Sequence, residues 1–456
     1  MVPLQANNEE IRDIQRPSMK RLNLLDNFFI FLLFITCFDG IFRAIGVKTG
    51  LSIIGSYKEI LFGILYLLYF VSFMTGRIAI KLPAKFLFYL KLFVVCIILS
   101  IINGILRGHY QSQYIIFLWG LKTSFYYSLP ILFLFRNEAF LNAFMEKLIF
   151  FLGIALVPIV FFAVCQYVGG MDFLRTIDYP IDSTVIQFHD PELYRGILRP
   201  AGTFRAADDL GMFCLFVLSY ALFKTPRNYF VILLSVLGVI ISTSKFSIMG
   251  LFILVLYYVL IMRKWTELAN KIKYVMPAIL FVAVTFFAPL LSVLFSKIFV
   301  VYQSAAAASS AMERLMIWSK LFKDAINNFG ITDYVFGKGY GLYGVGLNII
   351  GLVNEGTVYE GVGGIADNNY VMFLLGVGIL GFTVLYFWLR LISNEYVKAL
   401  RDNKSWVLRG SYLYFLLILY AAFFIDVIEA FPYQIYVILV MLPPFVYNDQ
   451  KVARIS

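Results

Sequence analysis

Apolar runs of about 20 residues recur along this chain between positions 28 and 447, and a run of that length is what one helix needs to cross a bilayer. Inside hydrocarbon every backbone N–H and C=O must be satisfied internally, which leaves only helices and closed barrels. The runs are roughly twice the ~10 residues of a barrel strand, so helices are predicted. Composition points the same way, with 61% of residues hydrophobic and only 14% charged. The expected fold class is all-α: a polytopic integral membrane protein with about twelve transmembrane helices and two long outer loops. The predicted spans are 28–47, 53–75, 84–105, 114–135, 145–168, 206–223, 229–243, 246–262, 274–296, 368–389, 408–426 and 430–447. The two that flank Lys245 are short.

The net charge of +11 would suggest a nucleic-acid partner in a soluble chain, but here Lys and Arg concentrate in alternate short connections. The basic connections hold Arg77, Lys81 and Lys85, then KTPRN at 224–228, then RKWTELANKIK at 263–273, then Arg390 to Arg409. The positive-inside rule places these in the cytoplasm with both termini, and predicts outer loops at 169–205 and 297–367. The expected organisation is a cytoplasmic tail 1–27, one membrane domain 28–447 and a cytoplasmic tail 448–456. Residues 1–27 lack the early apolar region of a cleavable signal, so the first span is expected to direct insertion. Cys37, Cys96, Cys165 and Cys214 all lie in apolar runs without CxxC spacing, which indicates neither a disulfide frame nor a zinc site. No nucleic-acid partner, metal or cofactor is expected.

Polar residues next to lipid-length segments are costly and call for partners. The densest group is RGILRPAGTFRAADDLG, 195–211, where Arg195, Arg199 and Arg205 precede Asp208 and Asp209 at the start of a span. A guanidinium forks two hydrogen bonds to phosphate, so this cluster is a candidate anion site; alternatively the arginines snorkel to headgroups or pair with Asp190, Glu192, Asp208 and Asp209. Lys245, in STSKFS, is either a snorkelling anchor or a further phosphate ligand. Within the second outer loop, Leu315, Trp318, Leu321, Phe322 and Ile326 follow helical spacing and predict an amphipathic helix on the membrane surface, opened by Glu313 and Arg314. FGKGYGLYGVG follows; no strand precedes it, so its glycines are read as turn formers rather than a nucleotide loop. Asp39 stands four residues before Arg43 and is expected to pair with it. Lys58, Glu59, Lys122, Asp426 and Glu429 lie toward the outer side and suggest a water-filled cavity opening outward. His109 and His189 are the only histidines and fall in different outer connections, which gives little support to a serine triad or a histidine metal site.

The order of these motifs resembles the O-antigen ligase and polymerase superfamily of bacterial inner-membrane proteins. RPAGTF stands before a span, TSK between two short spans, ERLMIWSKLFKDAI and FGKGYG in a large outer loop, and DNNYVMFLLGVGILG at the entry to a later span. The likeness covers roughly residues 195–381. Family R-x-x-G-x-F corresponds to Arg199, Gly202 and Phe204; T-x-S-R corresponds to Thr243, Ser244 and Lys245, with lysine for arginine; S-R-x-x-x-W corresponds to Arg314 and Trp318. The resemblance implies glycosyl transfer from a polyprenyl-diphosphate-linked glycan at the outer face, with Arg199, Lys245 and Arg314 as diphosphate ligands and Arg195 and Arg205 as second choices. It implies a metal-independent enzyme, because diphosphate is a good leaving group that needs only cations to hold its charge. Asp367 is the candidate general base, with Glu360, Asp208 and Asp209 as alternatives. Ligases typically carry a histidine where this chain has Asp367, Asn368 and Asn369, which favours a polymerase of repeat units over a ligase that moves glycan to lipid A core. A transporter of lipid-linked oligosaccharide is the alternative of a different class. Implied partners are the lipid-linked oligosaccharide, membrane lipids, a flippase and a chain-length regulator.

Overall fold

A computed structural model describes residues 22–78, 80, 82–110, 113–180, 200–273, 306–344, 358–359, 363–364, 368–423, 431 and 433–448. α1 (Leu24–Thr36) starts on an Asn23 cap and breaks at Cys37, where the chain bends by 70° into α2 (Asp39–Thr49). After a single turn at Ser52–Gly55 come α3 (Tyr57–Met74) and α4 (Ala84–Leu106). α5 (Ile115–Leu121) runs on through a π turn, Lys122–Tyr126, and a 3-10 turn, Leu129–Leu134. α6 (Glu138–Thr176) contains Pro158 and breaks at Gly170. α7 (Ala207–Ala221), α8 (Tyr229–Ile241), α9 (Lys245–Met262) and α10 (Thr266–Ile272) follow. The second long loop contains α11 (Ala306–Asn328) and α12 (Ile331–Phe336), and the chain closes with α13 (Asn369–Asp402), α14 (Trp406–Ala421) and α15 (Tyr433–Met441). Among the described residues the only strands are Val358–Tyr359 and Gly363–Gly364, paired antiparallel.

Five of these segments are long and apolar enough to cross a membrane, namely α3, α4, Ile115–Leu134, α6 and α13, and the bent pair α1–α2 makes a sixth. The protein is all-α and membrane-embedded. The first span starts at Leu24 rather than at 28, where Asn23 caps the helix by accepting the Asp26 N–H at 2.8 Å. The fifth breaks at Gly170, φ 53, close to the expected limit of 168, and a short helix beyond the kink runs to Thr176.

α7 and α14 form the centre of the bundle. Every residue of α7 from Leu210 to Ala221 is buried, as is every residue of α14 from Gly410 to Ala421. A helix apolar on all sides has no solvent face to present, so it is enclosed by other helices. Gly410 lets the two approach, since a Cβ there would lie 2.6 Å from the Tyr220 ring. Tyr220 and Ser411 then share a hydrogen bond of 2.8 Å, and Phe216 meets the edge of Tyr414 while stacking on Tyr436 at 4.3 Å.

Polar contacts sort to the two ends of the bundle. At one end Arg136 forks onto Asp26 at 2.8 and 3.0 Å, Lys147 donates to Asn27, Asn448 donates to Glu395, and Arg401 reaches Glu267. At the other, Lys58 pairs with Asp39, Lys48 with Asp178, Lys122 with Glu59 and Arg107 with Asp333. Successive long helices therefore run antiparallel, and the second end carries the segment Pro200–Ala206 and α12.

Candidate functional site

The segment Pro200–Ala206 is seated inside the second end rather than draped over it. Gly202 sits at φ 61, a left-handed conformation that favours glycine, and both of its backbone polar groups are taken by Gln166 of α6. Gln166 accepts the Gly202 N–H at 2.8 Å and donates to its carbonyl at 3.2 Å, while itself fully buried. Thr203 then enters the break between α1 and α2. Its hydroxyl donates to the Cys37 carbonyl at 2.6 Å and its carbonyl accepts the Gly40 N–H at 2.9 Å, so the loop satisfies backbone groups that the bend releases. Gly40 is required here, because a Cβ would lie 2.5 Å from the Phe204 carbonyl oxygen. Phe204 is buried against Phe213.

Arg205, half-buried, follows directly, and α7 starts where the Asp209 carboxylate reaches back to accept the Ala206 N–H at 3.1 Å. Asp208, one residue earlier, accepts a hydrogen bond from the hydroxyl of Ser244. Ser244 also caps α9, accepting the Ser247 N–H at 3.2 Å. The positive ends of two helix dipoles thus meet through one carboxylate and one hydroxyl. Gly211 makes the approach feasible, since a Cβ there would lie 2.3 Å from the Ser247 Cβ. Thr243 stands at φ 51, a strained conformation for a β-branched residue, and its buried hydroxyl, like that of Ser247, has no partner among the described residues. The start of α13 belongs to the same neighbourhood: Asn369, buried, donates its N–H to the Ala422 carbonyl at 2.9 Å, and Tyr420 nearby stacks on Phe246 of α9.

The adjoining α1–α2 break carries two cations of its own. Asp39, adjoining Gly40, accepts from Arg43 at 2.9 Å and from Lys58 at 3.3 Å, and the Lys58 ammonium also lies 4.1 Å from the centre of the Phe431 ring. Lys122 pairs with Glu59 at 3.1 Å. The expected Asp39–Arg43 pair is present. Lys58 and Lys122, expected on the outer side with Glu59, form direct ion pairs, Lys58 with Asp39 and Lys122 with Glu59. Lys48 holds the exposed Asp178 carboxyl below the usual carboxylate range through a 2.7 Å bond.

No protein-family model matches the chain. No curated protein matches it either.

Of the residues expected to act on substrate, Arg205 is placed beside the α7–α9 junction. Lys245 opens α9 immediately after the Ser244 cap, with only its backbone described. The start of α7, just after PAGTF, and the TSK segment, some 40 residues apart in sequence, are therefore neighbours. Arg195, Arg199, Asp367, Glu360, His189, Asp426 and Glu429 lie outside the described residues. Arg314 is described only as backbone within α11.

That helix is anchored elsewhere on the same end. Its inward face is Ile317, Leu321, Asp324 and Ala325, while Phe322 and Ile326 are exposed. The expected amphipathic helix is present, but its packed stripe is shifted because Asp324 turns inward to a buried Lys338. Burial pulls the Lys338 ammonium below its ordinary value, against the opposing pull of Asp324.

One polar cluster gave no sign in the sequence. Asp333 of α12, fully buried, accepts the Gly330 N–H at 2.8 Å, Asn103 at 2.8 Å, Arg107 at 3.3 Å and His109 at 3.0 Å. Burial raises its carboxyl, but these donors outweigh that and hold it below the ordinary range. His109, expected in an outer connection, is thus part of the anchor that ties α12 to α4.

Proposed function

We propose that the protein is a polymerase of lipid-linked polysaccharide repeat units at the outer face of a bacterial inner membrane, the product being O-antigen, capsule or exopolysaccharide. The observation that carries this reading is the meeting of the α7 start, just after PAGTF, with TSK at one end of the bundle, joined by Ser244 and Asp208 and preceded by Arg205, with Arg43 and Lys58 on the adjoining α1–α2 break. Two helix N-termini and several cations at one place suit a diphosphate. In this reading α1–α2, α3, α4, the Ile115–Leu134 segment, α6, α7, α8, α9, the run 274–296, α13, α14 and α15 make about twelve spans. Both termini are cytoplasmic and the end that holds the two loops faces outward.

The chemistry is attack by a hydroxyl of an incoming lipid-linked unit on the anomeric carbon of the growing glycan, with polyprenyl diphosphate leaving. Arg199, Lys245 and Arg314 would hold the developing charge, with Arg195 and Arg205 in support, and Asp367 would take the hydroxyl proton. A flippase or chain-length regulator would be a natural partner.

The transporter alternative draws on the breaks in α1–α2 and α13, since transporters bind cargo at discontinuous helices. Both breaks, however, are packed with the chain's own backbone, through Thr203 in one and Lys338 in the other, which favours a fixed scaffold over a moving gate. Elongation of a polyprenyl-diphosphate-linked repeat unit by the purified protein tests the proposal. Arg199→Ala, Lys245→Ala and Arg314→Ala should each stop extension while thermal unfolding stays unchanged. Full-length product from all three would sink the diphosphate site. Cells without the gene should attach single repeat units; complete loss of attached glycan would point to the ligase instead.

A further inference from the structure

A groove of about 500 Å³ opens on the flank of the bundle between α6 and α8, at the end opposite the candidate site. Its walls include Phe150, Ile154 and Val157 from α6 and Phe230 from α8, all exposed, so in a membrane-embedded protein they face acyl chains. Its floor is open at Gly153, where a Cβ would meet only the Val231 side chain, at an ordinary 3.6 Å.

The mouth differs in kind from the walls. Lys224 lines it, half-buried, its ammonium 5.5 Å from the centre of the Trp406 ring and in no ion pair among the described residues. Arg227, in the same turn, donates to the Tyr258 hydroxyl at 3.1 Å and adds a second positive charge. Apolar walls with a cationic mouth match an acyl chain attached to an anionic headgroup. A zwitterionic lipid would bring its own ammonium against the lysine.

We propose that this groove is a binding site for one anionic phospholipid, its phosphate held by Lys224 and one acyl chain laid along Gly153, Val157 and Val231. Native mass spectrometry of the delipidated full-length protein, titrated with phosphatidylglycerol or phosphatidylcholine of identical chains, reads the first lipid bound. The wild-type protein should retain phosphatidylglycerol about fivefold better, the effect of a single lysine on an anionic lipid. Lys224→Ala should bring the two lipids to parity. Gly153→Phe should weaken retention of both by filling the floor, and Gly153→Leu replaces it if the larger ring prevents folding. Equal retention of the two lipids by the wild-type protein, or an undiminished preference in Lys224→Ala, would overturn the headgroup assignment. Unchanged retention in the folded Gly153 variant would overturn the chain placement.

Discussion

Gln166 and Asp333 show how single side chains hold the functional end together. Among the described residues Gln166 is the partner of both Gly202 backbone groups, so Gln166→Leu leaves two buried polar groups unpaired, at about 1–3 kcal/mol each. Thermal unfolding in detergent should register the loss, and Gln166→Glu, which keeps only the acceptor, should fall between. Asp333 gives a pH signature. Its carboxyl titrates lower in the folded protein than the ~3.9 of an unfolded chain, so its stabilising effect is complete above that value and disappears as pH falls through the lowered folded value. Hydrogen-exchange protection factors at 331–336, corrected for the intrinsic rate, should therefore fall on acidification below about pH 4. Asp333→Asn should be loosened already at neutral pH and respond much less. Neither residue could have been singled out beforehand, because their partners stand 36 and more than 220 positions away. By contrast Asp39 and Arg43, one helical turn apart, were readable from spacing alone.

The elements share one device: a break in an apolar helix filled by a strip of glycine-bearing backbone. In α13 the break is at Gly378, φ 72, and the segment around Lys338 fills it, donating the Lys338 N–H to the Leu375 carbonyl at 3.0 Å while Ser100 donates to the Gly376 carbonyl. A Cβ on Gly337 would lie 2.1 Å from the Gly376 oxygen, and one on Gly378 would lie 2.4 Å from the Gly337 nitrogen. The glycines of FGKGYG, read from sequence as turn formers, thus serve close backbone approach. Gly337→Ala should cost more than the ~1–2 kcal/mol of a left-handed alanine, because φ 84, ψ 159 is a conformation essentially reserved for glycine and the carbonyl opposite must also move. Gly76→Ala, also at positive φ but with nothing within 4 Å, should cost less. Comparing their melting temperatures checks the difference. The breaks themselves were not legible in the sequence: periodicity marks an apolar run, and a helix that bends by 70° within it keeps the same residue types.

At the scale of the molecule, hydropathy and the distribution of basic residues were enough to anticipate an all-α membrane protein, while the depth at which the loops insert was not. The sorting of polar contacts to two ends makes a direct topological prediction. Single cysteines replacing Lys48 or Arg107 should react with an impermeant thiol reagent from one side of the membrane, and those replacing Arg263 or Lys404 from the other. Labelling of all four from one side would overturn the antiparallel arrangement. Because Thr203 and Lys338 lie within helix breaks, the segments that carry them are joinery for the membrane bundle. Scanning mutagenesis must therefore be read with care for cause: an inactive variant at Gly202, Thr203, Gly337 or Gly339 reports a dislodged joint.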